Sequence, residues 1–343
     1  MKIIFRTNGG KDIGLGHVYR CISLAQAIRD VAGEIIISFV ANNEVKTLIE
    51  EYKFEFVSSD SFDNKDIQII ESQKPSLIIF DSYLATNDYL KRLKKISKLI
   101  IFDDNNDVYD SSIPYRIING NLHAFSLEYT NKHEHFLGPK YLVMKKEYWE
   151  NKKANNKRED NFRKNNEKDA NVMSVLITTG GTDFNKIMLQ FIRAFKGVKI
   201  NKKLVIGPLY EEKYIEKIEK EVFNDESFEL IYKPKMLKNY IKDSNYIITA
   251  AGSTVYEVLT LDKFPIIYVL ADNQKAIAKE LEKYGIINLG YYPEIDYNYA
   301  KKIIESREYE KTKEHIMIEM LFDMFDGNGA KRVAEEIVKE IHK

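Results

Sequence analysis

The sequence predicts an α/β protein with two doubly wound, Rossmann-like domains and a cleft between them. Short apolar runs alternate with longer amphipathic segments in the first half of the chain, and the same alternation begins again after Asp169. Alternating strands and helices are typical of βαβ units, whose strands pair in parallel. The length of 343 residues also fits about two domains.

The predicted strands of the first half are short apolar runs, and amphipathic segments separate them. The strands are Ile3–Arg6, Glu34–Val40, Leu77–Phe80 and Leu99–Phe102. The helices are Tyr19–Val31, Asn43–Tyr52, Asp66–Gln73 and Asn87–Ser97. This order predicts the first parallel sheet.

The second half repeats the pattern and ends in a helix. Its predicted strands are Ser174–Thr178, Lys203–Gly207, Phe228–Tyr232, Tyr246–Thr249 and Ile266–Leu270. The last helix follows the break Asp326-Gly327-Asn328-Gly329 and has one apolar face, formed by Val333, Ile337, Val338 and Ile341.

A change of composition marks the boundary between the two domains. The stretch Asn151–Asp169 holds six Asn, seven Lys or Arg and four Asp or Glu among its 19 residues. So polar a segment cannot bury a core and is expected to be solvated. We therefore predict a first domain at 1–150, a polar connector at 151–170, a second domain at 171–325 and a C-terminal helix at 326–343.

Composition narrows the class of partner and the compartment. Lys plus Arg and Asp plus Glu both number 52, a balance that does not favour nucleic acid or an acidic membrane surface. The single cysteine, Cys21, excludes an internal disulfide and fits a reducing compartment. The longest apolar stretch, Phe264–Ala271, is too short to span a bilayer. We expect a cytoplasmic protein, and a monomer.

The first candidate site is Gly14-Leu15-Gly16-His17, where the first strand turns into the first helix. Backbone N–H groups at such a turn bind anions, and the glycines allow close approach to a ligand. A dinucleotide fingerprint would need a third glycine where Tyr19 stands, which argues against NAD.

His17 needs an explanation of its own, because anion binding does not require a histidine. The positive end of the helix dipole favours a neutral imidazole, which makes His17 a candidate general base. The alternative is a histidine that only caps its own helix.

Two further loops carry acidic residues at the ends of predicted strands, Asp81-Ser82-Tyr83 and Asp103-Asp104-Asn105. Open α/β sheets bind ligands at the carboxyl ends of their strands. The carboxylates could orient His17 or hold sugar hydroxyls, and the alternative is that they cap the helices that follow. Together the two loops favour a polar ligand.

The second half offers a phosphate site at Ala250–Glu257. Its turn of small residues, with Gly252, Ser253 and Thr254, has free N–H groups that suit a phosphate. Glu257 could accept hydrogen bonds from ribose hydroxyls. The alternative is a capping box formed by Thr254 and Glu257.

Two more loops follow strands in the second half. The first is Thr178–Asp183, which contains Gly180 and Gly181. The second is Asp272-Asn273-Gln274, whose uncharged amides suit sugar or diphosphate oxygens.

Several motifs are absent from the sequence. It has no G-x-x-x-x-G-K-[ST], which argues against a P-loop NTPase. It has no D-x-D pair for a metal-bound diphosphate, and His133-Glu134-His135 lacks a third ligand at a useful spacing. No metal or cofactor is therefore expected.

With these loops in place, the chain resembles the UDP-sugar hydrolases of pseudaminic acid biosynthesis and the related spore-coat polysaccharide proteins. Those proteins are similar to the UDP-GlcNAc transferase of peptidoglycan synthesis, which has a GT-B fold. The resemblance covers nearly the whole chain. It is carried, in this order, by FRTNGGKDIGLGHVYRC, IIFDSY, IIFDDN, FLGPKYLVMKKEYW, ITTGGTD, TAAGSTVYEVL, LADNQ and DGNGAKRV.

The resemblance implies a GT-B-like fold and a metal-independent reaction. The reaction is hydrolysis of UDP-2,4-diacetamido-2,4,6-trideoxy-β-L-altropyranose to free sugar and UDP, in nonulosonic acid biosynthesis for surface glycans. By resemblance, the catalytic residues are His17, which is the base or positions the water, Tyr83, which lies near the sugar, and Asn273, which lies in the cleft. The same resemblance implies that the second domain binds UDP, with Glu257 on the ribose. The full set of candidate substrate-binding residues is Gly14, Gly16, Arg20, Asp81, Asp103, Gly180, Gly181, Gly252, Ser253, Thr254, Glu257 and Gln274.

Two other functions fit the same residues. A glycosyltransferase would use the same UDP site with an acceptor hydroxyl in place of water. A non-catalytic protein that binds nucleotide sugars would keep Glu257 and the Gly252 turn but would have no need for His17.

Overall fold

The computed structural model describes residues 1–149, 173–306 and 315–342, which fold into two compact units. The first unit comprises Met1–Trp149 and Gly327–Lys343, and the second comprises Glu150–Asp326. Each unit contains a parallel β-sheet with helices, so the predicted two-domain α/β fold is confirmed. The predicted connector at 151–170 lies outside the described residues.

The first unit has a seven-stranded sheet. Its strands are β1 Lys2–Thr7, β2 Ile36–Ala41, β3 Glu55–Ser58, β4 Leu77–Asp81, β5 Lys98–Phe102, β6 Arg116–Asn119 and β7 Phe136–Leu137. Its helices are α1 Gly16–Val31, α2 Lys46–Glu51, α3 Asn64–Ser72 and α4 Asn87–Ile96, and the C-terminal α12 Gly329–Ile341 also belongs to this unit.

The strand order of this sheet is β3-β2-β1-β4-β5-β6-β7, and every pairing is parallel. The order reverses between β1 and β4, which is the topological switch point where doubly wound sheets bind ligands. The loops after β1 and β4 are those of His17 and Asp81, so the fold brings the two candidate loops together at that point.

Alternating side chains of β1 enter two separate cores, one on each face of the sheet. Ile3 and Phe5 pack with apolar residues of α1 and α12, whereas Ile4 packs with residues of α3 and α4. The period of two along a strand produces this division. Because both faces of the sheet are buried, the sequences of its central strands are nearly continuous apolar runs.

The second unit repeats this topology with six strands. Its strands are β8 Ser174–Thr178, β9 Asn201–Ile206, β10 Phe228–Tyr232, β11 Tyr246–Ala250, β12 Pro265–Val269 and β13 Asn288–Tyr291. Its helices are α5 Ile187–Phe195, α6 Glu212–Val222, α7 Lys238–Lys242, α8 Ser253–Thr260, α9 Lys275–Glu282, α10 Tyr297–Ser306 and α11 His315–Met324.

The second sheet has the order β10-β9-β8-β11-β12-β13, again with parallel pairing. Its switch point lies between β8 and β11, and the loops that follow these strands contain Gly180 and Gly252. On β8, Val175 and Ile177 face one core while Leu176 faces another. Both units therefore present their candidate loops at equivalent positions of the same topology.

The structure differs from the predicted elements in two respects. Sequence analysis missed β3, β6, β7 and β13, which are two to four residues long and too short to show a clear hydrophobic period. Helix α1 begins at Gly16 rather than at Tyr19, which places His17 within its first turn. Among the described residues, no helix is long and apolar enough to cross a membrane.

Candidate active site

The glycine loop after β1 is closed by its own backbone. Gly10 and Gly14 form an antiparallel bridge, with N···O distances of 3.0 and 2.8 Å in the two directions. Gly14 has a φ of +85°, a conformation that favours glycine. The side-chain amide of Asn42, at the end of β2, holds Gly9 by donating to its carbonyl at 2.7 Å and accepting from its N–H at 3.1 Å. The loop thus leads the chain into α1 in a defined conformation.

His17 lies in the first turn of α1, and its ring is held by Asp81. The His17 Nδ1 atom is 2.6 Å from Asp81 Oδ1, and Asp81 is completely buried. An ionised carboxylate only accepts hydrogen bonds, so this contact places a proton on Nδ1, and in the neutral form of the ring the lone pair is then on Nε2. Nε2 has no hydrogen-bond partner within the part of the chain that the structure describes. His17 is therefore oriented by a carboxylate and does not act merely as a helix cap.

Arg20 binds the same carboxylate from the next turn of α1. Its Nε and Nη2 atoms donate to Asp81, the latter at 2.7 Å, and Nη2 lies 3.3 Å from His17 Nδ1. Burial alone would raise the pKa of Asp81, but the Arg20 charge and the hydrogen bonds from Arg20 and His17 lower it below the ordinary value. Asp81 is thereby held ionised, as an acceptor for the imidazole.

Asp104 completes a network of charged side chains. It accepts from Arg20 Nη1 at 3.0 and 2.8 Å, from the Tyr83 hydroxyl, and from Asn121 Nδ2 at 2.9 Å. Although burial opposes it, Arg20 and the Tyr83 hydroxyl lower the pKa of Asp104 to about 2. The Tyr83 ring also packs edge-on against His17, with ring centroids 4.7 Å apart.

We call His17, Arg20, Asp81, Tyr83 and Asp104 the histidine network. Sequence analysis considered Asp104 beside Asp103 but did not include it among the site residues, and it missed Asn121. The signal for Asn121 is its place after β6, a strand that was not predicted, where Asn119-Gly120-Asn121 resembles the other polar loops at strand ends.

Asp103 has a different environment from Asp104. Its Oδ1 accepts from the backbone N–H groups of Asn105 and Asn106, at 3.0 and 2.6 Å, and from the Tyr129 hydroxyl at 2.8 Å. Burial raises the pKa of Asp103 above its ordinary value. This side chain thus holds its own loop. In the fully described stretch between β5 and β6 no helix follows it, so the alternative that Asp103 caps the next helix is wrong.

In the second unit, the loop after β8 presents backbone rather than charged side chains. Gly180 has a φ of +93°, and a methyl group on Gly180 or Gly181 would meet no heavy atom of the described residues within 4 Å. A methyl group on Gly207 would lie 2.5 Å from the carbonyl oxygens of both glycines. Gly207 therefore allows β9 to support this loop at very short range.

The loop after β11 forms the N-terminus of α8. Gly252 is the N-cap residue, and no side chain of the described residues caps the helix there. A capping box would require Thr254 as the N-cap, so the helix begins too early for that alternative. Ser253 is exposed, Thr254 is half-buried and Glu257 is buried. The first N–H groups of α8 are therefore available to an anion.

The loop after β12 brings one amide to the same place. The Gln274 Oε1 atom accepts from the Leu270 N–H at 2.9 Å, and its Nε2 lies 3.8 Å from the position of a Cβ on Gly252. Asn273 is exposed. Gln274 thus presents an N–H donor beside the N-terminus of α8.

The acidic, histidine and cysteine side chains of the two units do not form a metal site among the described residues. Across residues 1–149, 173–306 and 315–342, no group of three or more His, Cys, Asp or Glu side chains is placed to hold a metal ion. His135 binds the backbone, with Nδ1 accepting from the Ile117 N–H and Nε2 2.8 Å from the Thr130 carbonyl oxygen.

Two parallel sheets of this order, with the candidate ligand loops at their switch points, are typical of the GT-B class. MurG of Acinetobacter baumannii superposes with a TM-score of 0.65 over 99% of this chain and 100% of its own, at 13% identity. Arabidopsis thaliana UGT89C1 complexed with UDP superposes with a TM-score of 0.69 over 99% of both chains, at 8% identity. The predicted GT-B-like fold is thus confirmed.

Curated relatives extend the likeness to sequence. The UDP-2,4-diacetamido-2,4,6-trideoxy-β-L-altropyranose hydrolase of Campylobacter jejuni is 26% identical over 87% of this chain and 100% of its own length. The spore coat polysaccharide biosynthesis protein SpsG of Bacillus subtilis is 24% identical over 81% of this chain and 80% of its own. The resemblance identified from the sequence is therefore confirmed.

The chain spans only about half the length of a third curated relative. The uncharacterized protein MJ1062 of Methanocaldococcus jannaschii is 29% identical over 80% of this chain, and the match spans 56% of that protein. No protein-family model matches the chain.

Proposed function

We propose that this protein hydrolyses a UDP-linked 2,4-diacetamido-2,4,6-trideoxy sugar to free sugar and UDP. The name of the Campylobacter jejuni relative supports the substrate class. The observation that carries hydrolysis is the geometry of His17, whose Nδ1 is bound to Asp81 while Nε2 keeps a lone pair without a partner among the described residues. An imidazole in this state can take a proton from water.

In this reaction the oxygen of water forms a bond to the anomeric carbon. The bond between that carbon and the diphosphate oxygen breaks, and its electron pair leaves with UDP. The proton of the attacking water passes to His17 Nε2, and Asp81 stabilises the imidazolium that results. The oxygen of the water and its other hydrogen remain on the sugar as the anomeric hydroxyl group.

We assign the nucleotide to the second unit. The uncapped N-terminus of α8, the Gly180-Gly181 loop and the Gln274 amide offer neutral N–H donors, which suit a diphosphate and stabilise the negative charge that develops on it. Glu257, one turn into α8, is assigned to the ribose hydroxyls, and the exposed Asn273 to the sugar-diphosphate part of the substrate.

A glycosyltransferase is the second candidate, because the fold is shared with proteins named as glycosyltransferases. The same base would then take its proton from an acceptor hydroxyl. The two functions differ in what attacks the anomeric carbon.

Incubation with the UDP-sugar alone in ¹⁸O-water tests the proposal. The released sugar is reduced at once with borohydride, which stops exchange of the anomeric oxygen with solvent. We expect ¹⁸O on the former anomeric carbon and none in UDP, because the carbon–oxygen bond breaks.

Each other result rejects hydrolysis at carbon. Label in the β-phosphate of UDP would mean attack at phosphorus. Turnover only after an acceptor is added would mean a transferase, and UDP binding without any turnover would mean a non-catalytic binding protein.

A further inference from the structure

We propose that Asp104 is a positioning residue for His17 and acts through Arg20 and Tyr83. The expected effect of Asp104 on catalysis rests on the proposed function. The arrangement of the side chains does not depend on it. Asp104 does not contact His17 directly. It binds two of the side chains that contact His17, namely Arg20 and Tyr83.

The first connection is through the Arg20 guanidinium. One edge of this planar group binds Asp81 through Nε and Nη2, and Nη1 binds both oxygens of Asp104. Two carboxylates therefore fix the plane of Arg20, whose Nη2 lies 3.3 Å from His17 Nδ1. A guanidinium held in this way cannot turn towards the imidazole and displace it from Asp81.

The second connection is through Tyr83. Its hydroxyl donates to Asp104, and its ring stands nearly perpendicular to the His17 ring at an interplanar angle of 86°. Edge-on packing restricts rotation of the imidazole about its own bonds. Asp104 thus fixes the ring of His17 from a second side.

The charges of the groups around His17 also affect the protonation of its ring. The groups that face His17 are Asp81 from β4, Arg20 from α1, and Tyr83 and Asp104 from the loops after β4 and β5. With two carboxylates and one guanidinium, the surroundings carry a net charge of −1 (−2 + 1 = −1). A negative environment favours the imidazolium that forms when His17 accepts a proton.

Removal of the Asp104 charge should therefore have two effects. The surroundings become neutral, so the imidazolium loses stabilisation, and the ring also loses its restraint. We expect Asp104→Asn to lower kcat by about 10- to 100-fold, the effect of losing one hydrogen bond to a charged group. The acidic limb of the pH–rate profile should move to lower pH.

The histidine ring itself provides a readout that needs no turnover. The full-length protein is labelled with ¹⁵N-histidine, and the His17 ring signals are assigned by their loss in His17→Asn. In the wild type we expect the neutral ring to be the Nδ1–H tautomer, because Asp81 accepts from Nδ1. In Asp104→Asn we expect a mixture of tautomers and a titration midpoint at lower pH.

The chain offers a matched control in Asp66. This buried carboxylate accepts from an arginine, Arg6, at 3.0 Å and from a tyrosine hydroxyl, that of Tyr89, as Asp104 does from Arg20 and Tyr83. Asp66→Asn should lower the thermal midpoint but leave the His17 titration unchanged. If Asp104→Asn does not fold, Arg20→Lys keeps the charge but cannot bind both carboxylates at once, and it should lower kcat and mix the tautomers.

Failure of the positioning role and failure of the proposed function give different results. An unchanged His17 titration in Asp104→Asn, or an equal shift in Asp66→Asn, would overturn the positioning role. If the wild type hydrolyses no UDP-sugar, the proposed function fails, but the ring titration still decides whether Asp104 positions His17.

Discussion

The two units share one topology but present different chemistry at their switch points. In the first unit the loops after β1, β4 and β5 carry side chains that bind one another, and Asp81 and Asp104 both pair with Arg20. In the second unit the loops after β8 and β11 present backbone. Within the described part of the chain, no heavy atom lies within 4 Å of a methyl group placed on Gly180 or Gly181, and no side chain caps α8.

The first unit is therefore suited to orienting a side chain, whereas the second is suited to accommodating a ligand. A charged network with most of its hydrogen bonds satisfied internally has one low-energy arrangement, which suits a group that must accept a proton. Backbone N–H donors beside glycines approach a polyanion closely without desolvating a charge of their own. The comparison therefore predicts that substitutions in the first unit impair turnover, whereas those in the second impair nucleotide binding.

The largest expected effect is that of His17→Asn. Loss of the general base should lower the hydrolysis rate by about 10²–10⁴-fold. The dissociation constant for UDP, measured by calorimetry, should stay near the wild-type value because the nucleotide is assigned to the second unit. Turnover at the wild-type rate would remove His17 from the mechanism.

Asp81→Asn should come next, at about 10²–10³-fold in kcat. An asparagine amide can donate to Nδ1, which moves the proton to Nε2 and removes the lone pair that accepts from water. Rates across pH 5–9, with the ¹⁵N shifts of the His17 ring, test this explanation. A slow variant that keeps the Nδ1–H tautomer would contradict it.

In the second unit, Gly207→Ala should weaken UDP binding because it disturbs the backbone of the Gly180-Gly181 loop. Its methyl group would clash with the carbonyl oxygens of Gly180 and Gly181, and overpacking of this kind costs about 1–3 kcal/mol. We expect a lower unfolding midpoint and weaker UDP binding.

The control for Gly207→Ala is Gly181→Ala. Its methyl group meets no heavy atom of the described residues within 4 Å, so the unfolding midpoint should not change. Equal destabilisation by both variants would show that the short approach of β9 is not what supports the loop.

The last expected effect is on stability and is confined to acid pH. Because Arg20 and Tyr83 lower the Asp104 pKa from 3.8 to about 2, ionised Asp104 contributes about 2 kcal/mol above pH 4, and this contribution is lost as the pH falls towards 2. The difference in unfolding midpoint between the wild type and Asp104→Asn should therefore narrow over that range.

Asp103→Asn provides the opposite case. Burial raises the Asp103 pKa, so its ionised form opposes folding, and the wild type should gain stability relative to this variant as the pH falls. Parallel behaviour of the two variants in acid would contradict the distinction between the neighbouring carboxylates.

Much of this protein could be predicted from local sequence. The apolar runs that form β1, β4, β5, β8 and β11 are buried on both faces, so composition alone identifies them. The polar loops at their ends follow from the rule that parallel sheets bind ligands at the carboxyl edge. His17 and Asp81 were accordingly expected to meet, although 64 residues separate them.

Tertiary structure decided which of two adjacent acids belongs to the histidine network. Asp103 and Asp104 have the same local context in the sequence, but backbone N–H groups hold Asp103 while Arg20 and Tyr83 hold Asp104. Hydrogen-bond direction depends on the turn after β5 and on partners from other strands, and no periodicity encodes these. The sequence by itself determined the fold class and the positions of the loops, because both follow from hydrophobic pattern. The pairing of each polar atom within those loops was set only when distant strands came together.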